Sequence, residues 1–279
     1  MEESNKDLIA AAYDFHSLSL MQKMANKLGK ESLAEHYQIE AVKVQQAFVD
    51  EWYDPKAGYF GQGTQTEQVL PLAFDLCSDV EMEQTVASAL VRNIQEKDTH
   101  LQTGFLGTSQ ILQVLSQHGY HDLAWQLVRN ESFPSWGYMR NQGATSLWER
   151  WDCDRVGPLT NSRNHYALGT YVQWFFRDVL ALTPDQHQKG HWHFQPHFAY
   201  SPEKIQITGI PTGVSDIRWQ KSPGSVSLAF TVRPDAFVSF HLPETAFWVG
   251  GQDEMAPFRV EKGHYHLPAG HYRCQLQFQ

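Results

Sequence analysis

Cysteine is scarce in this chain, and its three copies, Cys77, Cys153 and Cys274, lie far apart. An odd count without any Cys-x-x-Cys pair argues against a zinc knuckle or a dithiol redox motif. It points to a reducing, cytoplasmic compartment and away from a disulfide-stapled secreted scaffold. Long apolar runs are missing as well. Nothing approaches the roughly 18 consecutive apolar residues of a membrane-spanning helix, so no membrane partner is expected. Residues 1–10 lack a basic segment followed by an apolar core, and no secretory leader is expected. Positive charge is in short supply: 22 Lys and Arg stand against 31 Asp and Glu, a net charge of −9. Without a dense basic run, no nucleic-acid partner is expected. Gly-x-Ser-x-Gly and His-Glu-x-x-His are absent, which removes the hydrolases built on those motifs. Gly61-x-Gly63 and Gly104-x-x-Gly107 have no phosphate-loop context and read as turns.

What remains is a chain of 279 residues, long enough for two domains. Charged residues are only 19% and aromatics 13%, a balance that suits a packed core and a neutral ligand. Up to about residue 183 the pattern is helical. Leu8, Ala12, Phe15, Leu18, Met21, Ala25 and Leu28 recur at helical spacing until Gly29. Ala34, Tyr37, Ala41, Val44 and Phe48 repeat the pattern. A glycine-rich loop is expected over 53–63, then helices near 67–76, 80–95, 109–118 and 122–128. Residues 162–180 are apolar nearly all round and predict a helix buried on most sides.

Thr183-Pro184 stops the helical part. Beyond Trp192 the period becomes two: Val226, Leu228, Phe230 and Val232 alternate with small or polar residues, as do Tyr272, Cys274, Leu276 and Phe278. Ile205/Ile207 and Val238/Phe240/Leu242 follow the same rule. Turn residues at 211–213, 223–224, 250–251 and 268–270 separate these runs, the signature of a β-sandwich. The fold expected is mainly α plus β: helical hairpins over 1–185, in an α/α toroid-like arrangement, then an antiparallel β-sandwich over 190–279.

Chemistry concentrates in residues 143–152, Gly-Ala-Thr-Ser-Leu-Trp-Glu-Arg-Trp-Asp, and in 164–169, Asn-His-Tyr-Ala-Leu-Gly. A carboxylate between two indoles, beside an arginine, is what carbohydrate chemistry uses: aromatics stack on sugar faces and the carboxylate moves a proton. Glu149 reads as a general base or acid; the plainer alternative is a glutamate paired structurally with an arginine. His165 reads as a donor to a sugar hydroxyl or as a packed helix-start histidine. Trp136 and Tyr138 read as stacking platforms or as core. His191-x-His193, with His197, places two imidazoles on one strand face. No carboxylate or cysteine near them in sequence completes a ligand set, so neither a metal nor a cofactor is expected.

The order of these motifs resembles the C-terminal part of bacterial α-L-rhamnosidases of glycoside hydrolase family 78. The stretches that carry the resemblance are Gly63-Thr64-Gln65-Thr66, Leu101-Gln102-Thr103-Gly104-Phe105-Leu106-Gly107-Thr108, Phe133-Pro134-Ser135-Trp136-Gly137-Tyr138, and the two runs around Glu149 and His165. The resemblance covers residues 10–180, and the β-rich remainder resembles the family's terminal sandwich. It implies a partial (α/α)6 barrel and removal of terminal α-L-rhamnose with inversion. Glu149 then falls on the general base, His165 on a substrate-contacting histidine, and Trp136, Arg150 and Trp151 on pocket-lining motifs. The chain departs from the family in one respect: no acidic cluster of the kind that supplies the general acid precedes Glu149. With about seven helical segments, the first half of the barrel and the domains before it are expected to be missing. The alternative is therefore an inactive remnant, or a sugar-binding subunit completed by a second copy or by a chain carrying the other half-barrel.

Overall fold

A computed structural model describes residues 2–157, 161–198, 201–210, 212–242, 246–248, 259–261 and 263–278. The chain forms two compact units, Met1–Tyr171 and Val172–Gln279.

The first unit is built from α-helices. Helix α1 (Lys6–Lys27) starts where the Asn5 side chain accepts the N–H groups of Asp7 and Leu8, two of the donors a helix start leaves unpaired. It packs along α2 (Glu31–Trp52), burying Leu8, Ala12, Phe15 and Ala25 with Ala34, Ala41 and Phe48. The turn between them needs Gly29, whose φ of +67° lies in the left-handed region. The expected loop over 53–63 contains a two-residue ladder, β1 (Tyr53–Asp54) with β2 (Tyr59–Phe60).

Helix α3 (Gln65–Ala73) is the hub of the unit. Thr64 and Glu67 form a reciprocal capping box at its start. Its first turn is polar and yet enclosed: Gln65, Glu67 and Gln68 are all 0% exposed. Each is satisfied by backbone. Gln68 donates to the Phe60 carbonyl and accepts from the Phe60 N–H, both near 2.9 Å. Gln65 bridges the His100 carbonyl and the Gln102 N–H. Buried amides are tolerated when every group finds such a partner.

Helices α4 (Val80–Glu96) and α5 (Phe105–Gln117) pack apolar stripes such as Val86, Leu90 and Ile94 against this hub, and α6 (His121–Arg129) packs on α5. Gly107 on α5 is required by the approach of α3, since a Cβ there would lie 2.7 Å from Thr66 Oγ1. The short α7 (Trp136–Asn141) follows, capped by the Ser135 hydroxyl.

The continuous helix expected over 162–180 is not formed. The segment divides into irregular chain, a 3₁₀ turn at Tyr166–Leu168, α8 (Tyr171–Trp174) and a π turn at Phe175–Val179. Nor is it enclosed all round, for Tyr166 is 85% exposed and Val172 is exposed too. The cause is local: Gly169 and Thr170 interrupt the helix, and the Ser162–His165 stretch bonds to residues 146–149 instead of winding.

In the second unit, one sheet runs β10 (Arg259–Glu261), β11 (His264–Leu267), β8 (Phe237–His241), β4 (His191–Phe194), β3 (Leu182–Pro184). The other runs β5 (Lys204–Gln206), β6 (Val214–Ser222), β7 (Ser225–Val232), β12 (Gly270–Phe278), β9 (Ala246–Trp248). Phe194 and Phe240 of one meet Phe230 of the other at 5.1 and 5.4 Å between ring centres. Among the described residues pairing is antiparallel except for β4 with β8, which is parallel and departs from the purely antiparallel expectation. A parallel pair needs a long crossover, here the whole of β5–β7. Of the expected turns, Pro223-Gly224 joins β6 to β7 and Pro268-Ala269 precedes β12. Pro211 and the turn at 250–251 lie outside the described residues.

Candidate functional site

The two motif runs are brought together by main-chain pairing. His165 N–H donates to the Leu147 carbonyl at 2.8 Å and Glu149 N–H to the Ser162 carbonyl at 3.0 Å. The Ser146 hydroxyl adds a bond to the Arg163 carbonyl at 2.6 Å. Glu149 therefore sits on a braced loop, not on a helix, with its carboxylate half-exposed. Its Oε2 accepts the Ser162 N–H at 2.8 Å. His165 caps the following 3₁₀ turn through Nδ1, which accepts the Ala167 N–H at 3.1 Å, and its ring stacks on Tyr166. A ring nitrogen used as an acceptor in this way leaves Nε2 to carry the proton and act as a donor.

The indoles are fixed by their N–H groups. Trp136 donates to the Leu168 carbonyl at 2.7 Å and meets Trp151 edge to face at 5.2 Å and Tyr171 at 5.3 Å. Trp151 is 1% exposed and donates to the Thr103 carbonyl at 2.9 Å, which ties the Glu149 loop to the chain just before α5. Trp148 is buried as well. A 720 Å³ concavity lies alongside, lined by Trp136, Met139, Thr145, Leu147 and Tyr171 among others. Its lining includes Trp136 but not Glu149, Arg150, Trp151 or His165.

Arg150 turns back onto Asp152, with Nε and Nη2 each 2.9 Å from one carboxylate oxygen. This fork holds the Asp152 carboxyl below the usual carboxylate range and raises the guanidinium in turn. A carboxylate so held is a poor proton donor near neutral pH. A second cluster was not anticipated from sequence. Tyr138 donates to Asp154 Oδ2 at 2.5 Å, and Arg155 Nη2 donates to the same phenol oxygen while its guanidinium lies 3.9 Å from the Phe133 ring centre. The available signal was the continuation of acidic and basic residues past Asp152; nothing in it said that Tyr138, on α7, would be the partner.

The expectation that no carboxylate completes the His191/His193 pair is corrected. Asp185, six residues earlier, brings Oδ2 to 2.9 Å from His193 Nε2 and 3.5 Å from His191 Nδ1. The β3–β4 hairpin folds it back, a juxtaposition that sequence distance hides. His197 does not belong to the group.

A helical-hairpin unit that carries Glu149 on a loop between the buried Trp148 and Trp151, followed by a β-sandwich, is the arrangement of a hairpin-type chain. Residues 1–179 match the model described as the bacterial alpha-L-rhamnosidase 6 hairpin glycosidase domain, and the chain belongs to that family. It is 32% identical to an alpha-L-rhamnosidase of Streptomyces avermitilis over 94% of its own length and 26% of the relative's. It is likewise 32% identical to one from Alteromonas sp. (strain LOR), over 98% of this chain and 30% of the relative. The solved Streptomyces avermitilis alpha-L-rhamnosidase complexed with L-rhamnose superposes with a TM-score of 0.80 at 30% identity, covering 98% of this chain and 27% of that one. The chain thus spans little more than a quarter of the length of these relatives.

Proposed function

We propose that this chain carries the base-bearing part of an inverting α-L-rhamnoside-hydrolysing site, with Glu149 as the general base. The observation that supports this best is the match along nearly the whole chain to α-L-rhamnosidases, with Glu149 held half-exposed on a loop braced by the His165 run. In this reading Glu149 takes a proton from a water as its oxygen attacks the anomeric carbon. The glycosidic bond breaks, and the leaving oxygen receives a proton from a general acid on the opposite face, about 6.5–9.5 Å from the base carboxyl. Trp136 and His165 contact the sugar, Arg150 orients the loop through Asp152, and Trp151 backs Trp136 from within the core. The division into a barrel-type part over 1–185 and a sandwich over 190–279 belongs to the same reading.

No acid is assigned, and general acid assistance is worth typically about 10²–10⁴-fold. The second reading is therefore a sugar-binding or complementing subunit. It is favoured by the α1–α2 hairpin, which leaves Leu20, Met24, Leu28, Ile39 and Val42 exposed. Such a surface suits a second copy or a chain that supplies the other half-barrel.

The deciding assay is rhamnose release from an aryl α-L-rhamnoside at high protein concentration. Release that is abolished in Glu149→Gln, with the β-anomer appearing first by NMR, supports the catalytic reading. Absence of release refutes activity of the chain alone; saturable heat on titration with L-rhamnose, or a co-purifying partner, then supports the second. Neither turnover nor binding refutes both.

A further inference from the structure

The sheet that contains β4 and β8 has two unlike faces. Phe194, Val238, Phe240, Tyr265 and Leu267 point into the core. Strand alternation puts His191 and His193 on the other face. Register completes that face: β4 sets His193 opposite Ser239, while β11 sets His266 opposite Ser239 and His264 opposite His241. Asp185 joins it at the end of β3. Its Oδ1 accepts the N–H groups of His187 and Gln188, both at 2.8 Å, which fixes the carboxylate with Oδ2 turned toward the two imidazoles.

His191 is the informative member. Its Nε2 is 2.8 Å from the Ser239 hydroxyl and its ring stacks on Phe237 at 4.3 Å. Its Nδ1 is buried and has no hydrogen-bond partner among the described residues, with Asp185 Oδ2 facing it at 3.5 Å. A buried imidazole nitrogen held by a bond at the opposite nitrogen, and facing a carboxylate and a second imidazole, is a lone pair positioned for a ligand.

We propose that Asp185, His191 and His193 form a three-ligand site for a divalent transition-metal ion of the zinc class, with a water as fourth ligand. Bonds of about 2.0–2.1 Å at a tetrahedral angle place ligand atoms about 3.3 Å apart. The three atoms here already lie within 4.8 Å of one another, with Asp185 Oδ2 at 2.9 and 3.5 Å from the two nitrogens. Two imidazoles and one carboxylate select zinc, nickel or copper over calcium or magnesium, which prefer oxygen. Ser239, Phe237 and the two backbone N–H groups form the supporting shell that aims the ligands. His193 stays partly open to solvent, which leaves room for the water. The ion would clamp the β3–β4 hairpin at the strand that pairs with β8.

The test is calorimetric titration of the metal-stripped full chain with Zn²⁺, with metal content measured by elemental analysis after dialysis. One equivalent is expected, with a dissociation constant at or below ~10 µM. His191→Ala and Asp185→Asn should each weaken it at least ~10-fold, and Ser239→Ala, which removes only the supporting bond, about 10-fold. His264→Ala and His241→Ala, on the same face but outside the triad, should leave the site intact. Co²⁺ should give the visible bands of a four-coordinate ion, lost in His193→Ala, and Ca²⁺ should not compete. Should His191→Ala fail to fold, the Ser239→Ala affinity decides. Binding weaker than ~100 µM overturns the proposal. So does binding reduced equally by His241→Ala, which would mean that the histidine face collects metal without a defined site.

Discussion

Removing the Glu67 carboxylate should unlock the start of the first unit. The side chain is 0% exposed and accepts three backbone N–H groups: Asn5 on Oε1 at 2.8 Å, and Gln62 and Thr64 on Oε2 at 2.8 and 3.2 Å. It therefore joins the α1 cap, the glycine loop and the α3 cap at one point. Each bond to a carboxylate is worth about 1.5–3 kcal/mol net. The three share one anchor and will not add fully, so Glu67→Ala should cost about 3–5 kcal/mol, a large part of a typical stability of about 5–15 kcal/mol. Glu67→Gln keeps the shape but has one acceptor oxygen, so an amide N–H₂ must face either Asn5 or the Gln62/Thr64 pair. Its expected cost is about 1.5–3 kcal/mol, with faster amide exchange in the first turn of α1 if Asn5 is the group abandoned. Urea unfolding followed by circular dichroism, at constant m-value, measures both variants. A loss below ~1 kcal/mol for Glu67→Ala would refute the account, because the buried Thr64 donor and the part-buried Asn5 and Gln62 donors cannot all lose a charged acceptor so cheaply.

Asp178 offers a pH test. Burial raises its carboxyl from 3.8 to about 6, opposed by Arg177, and Oδ2 lacks a hydrogen-bond partner among the described residues. The folded chain holds this proton more tightly than the unfolded chain. The contribution is therefore fully present below about pH 4 and is lost as pH rises through about 6. A shift of about two units corresponds to ~3 kcal/mol, which solvent screening at this half-buried group reduces to about 1–2 kcal/mol. Asp178→Asn should recover that amount at pH 7.5 and nothing at pH 4; thermal unfolding that shows equal gains at both values would contradict it. Trp151→Ala should cost about 3–5 kcal/mol through cavity formation, while Trp151→Phe should cost about 1–3 kcal/mol for lost packing and for the lost bond to the Thr103 carbonyl, which keeps only the 3.4 Å contact from the Thr108 hydroxyl. Denaturant midpoints separate the two; a loss below ~0.5 kcal/mol for Trp151→Phe would show that the indole N–H contributes nothing.

Helical spacing in the sequence located α1, α2, α4 and α6, because each buries an apolar stripe and leaves its other side to solvent. Period-two alternation located β7 and β12 for the matching reason. Among the strands it did not announce is β6. Val214, Ile217 and Trp219 are all buried, but at spacings of three and then two, because a bulge between Ser215 and Arg218 puts Asp216 at φ +52°. A period-two rule cannot survive an inserted residue. Residues 162–180 failed in the opposite direction: apolar content predicted one helix, and main-chain pairing with 146–149 claimed its first turn.

By itself the sequence determined the two-part α then β organisation, the family, and the motif that holds Glu149 and His165. These are encoded by local periodicity and by residue types at short spacing, which require no knowledge of distant contacts. Only the tertiary structure decided which groups meet. It turned Arg150 onto Asp152, enclosed Trp151, left Trp136 beside the concavity and buried Glu67 as a structural anchor. It also folded Asp185 onto His191 and His193. The reason is physical: an ion pair, a buried carboxylate or a ligand set is defined by distances of a few ångströms, and those are fixed by how whole elements pack, not by the order of residues along one of them.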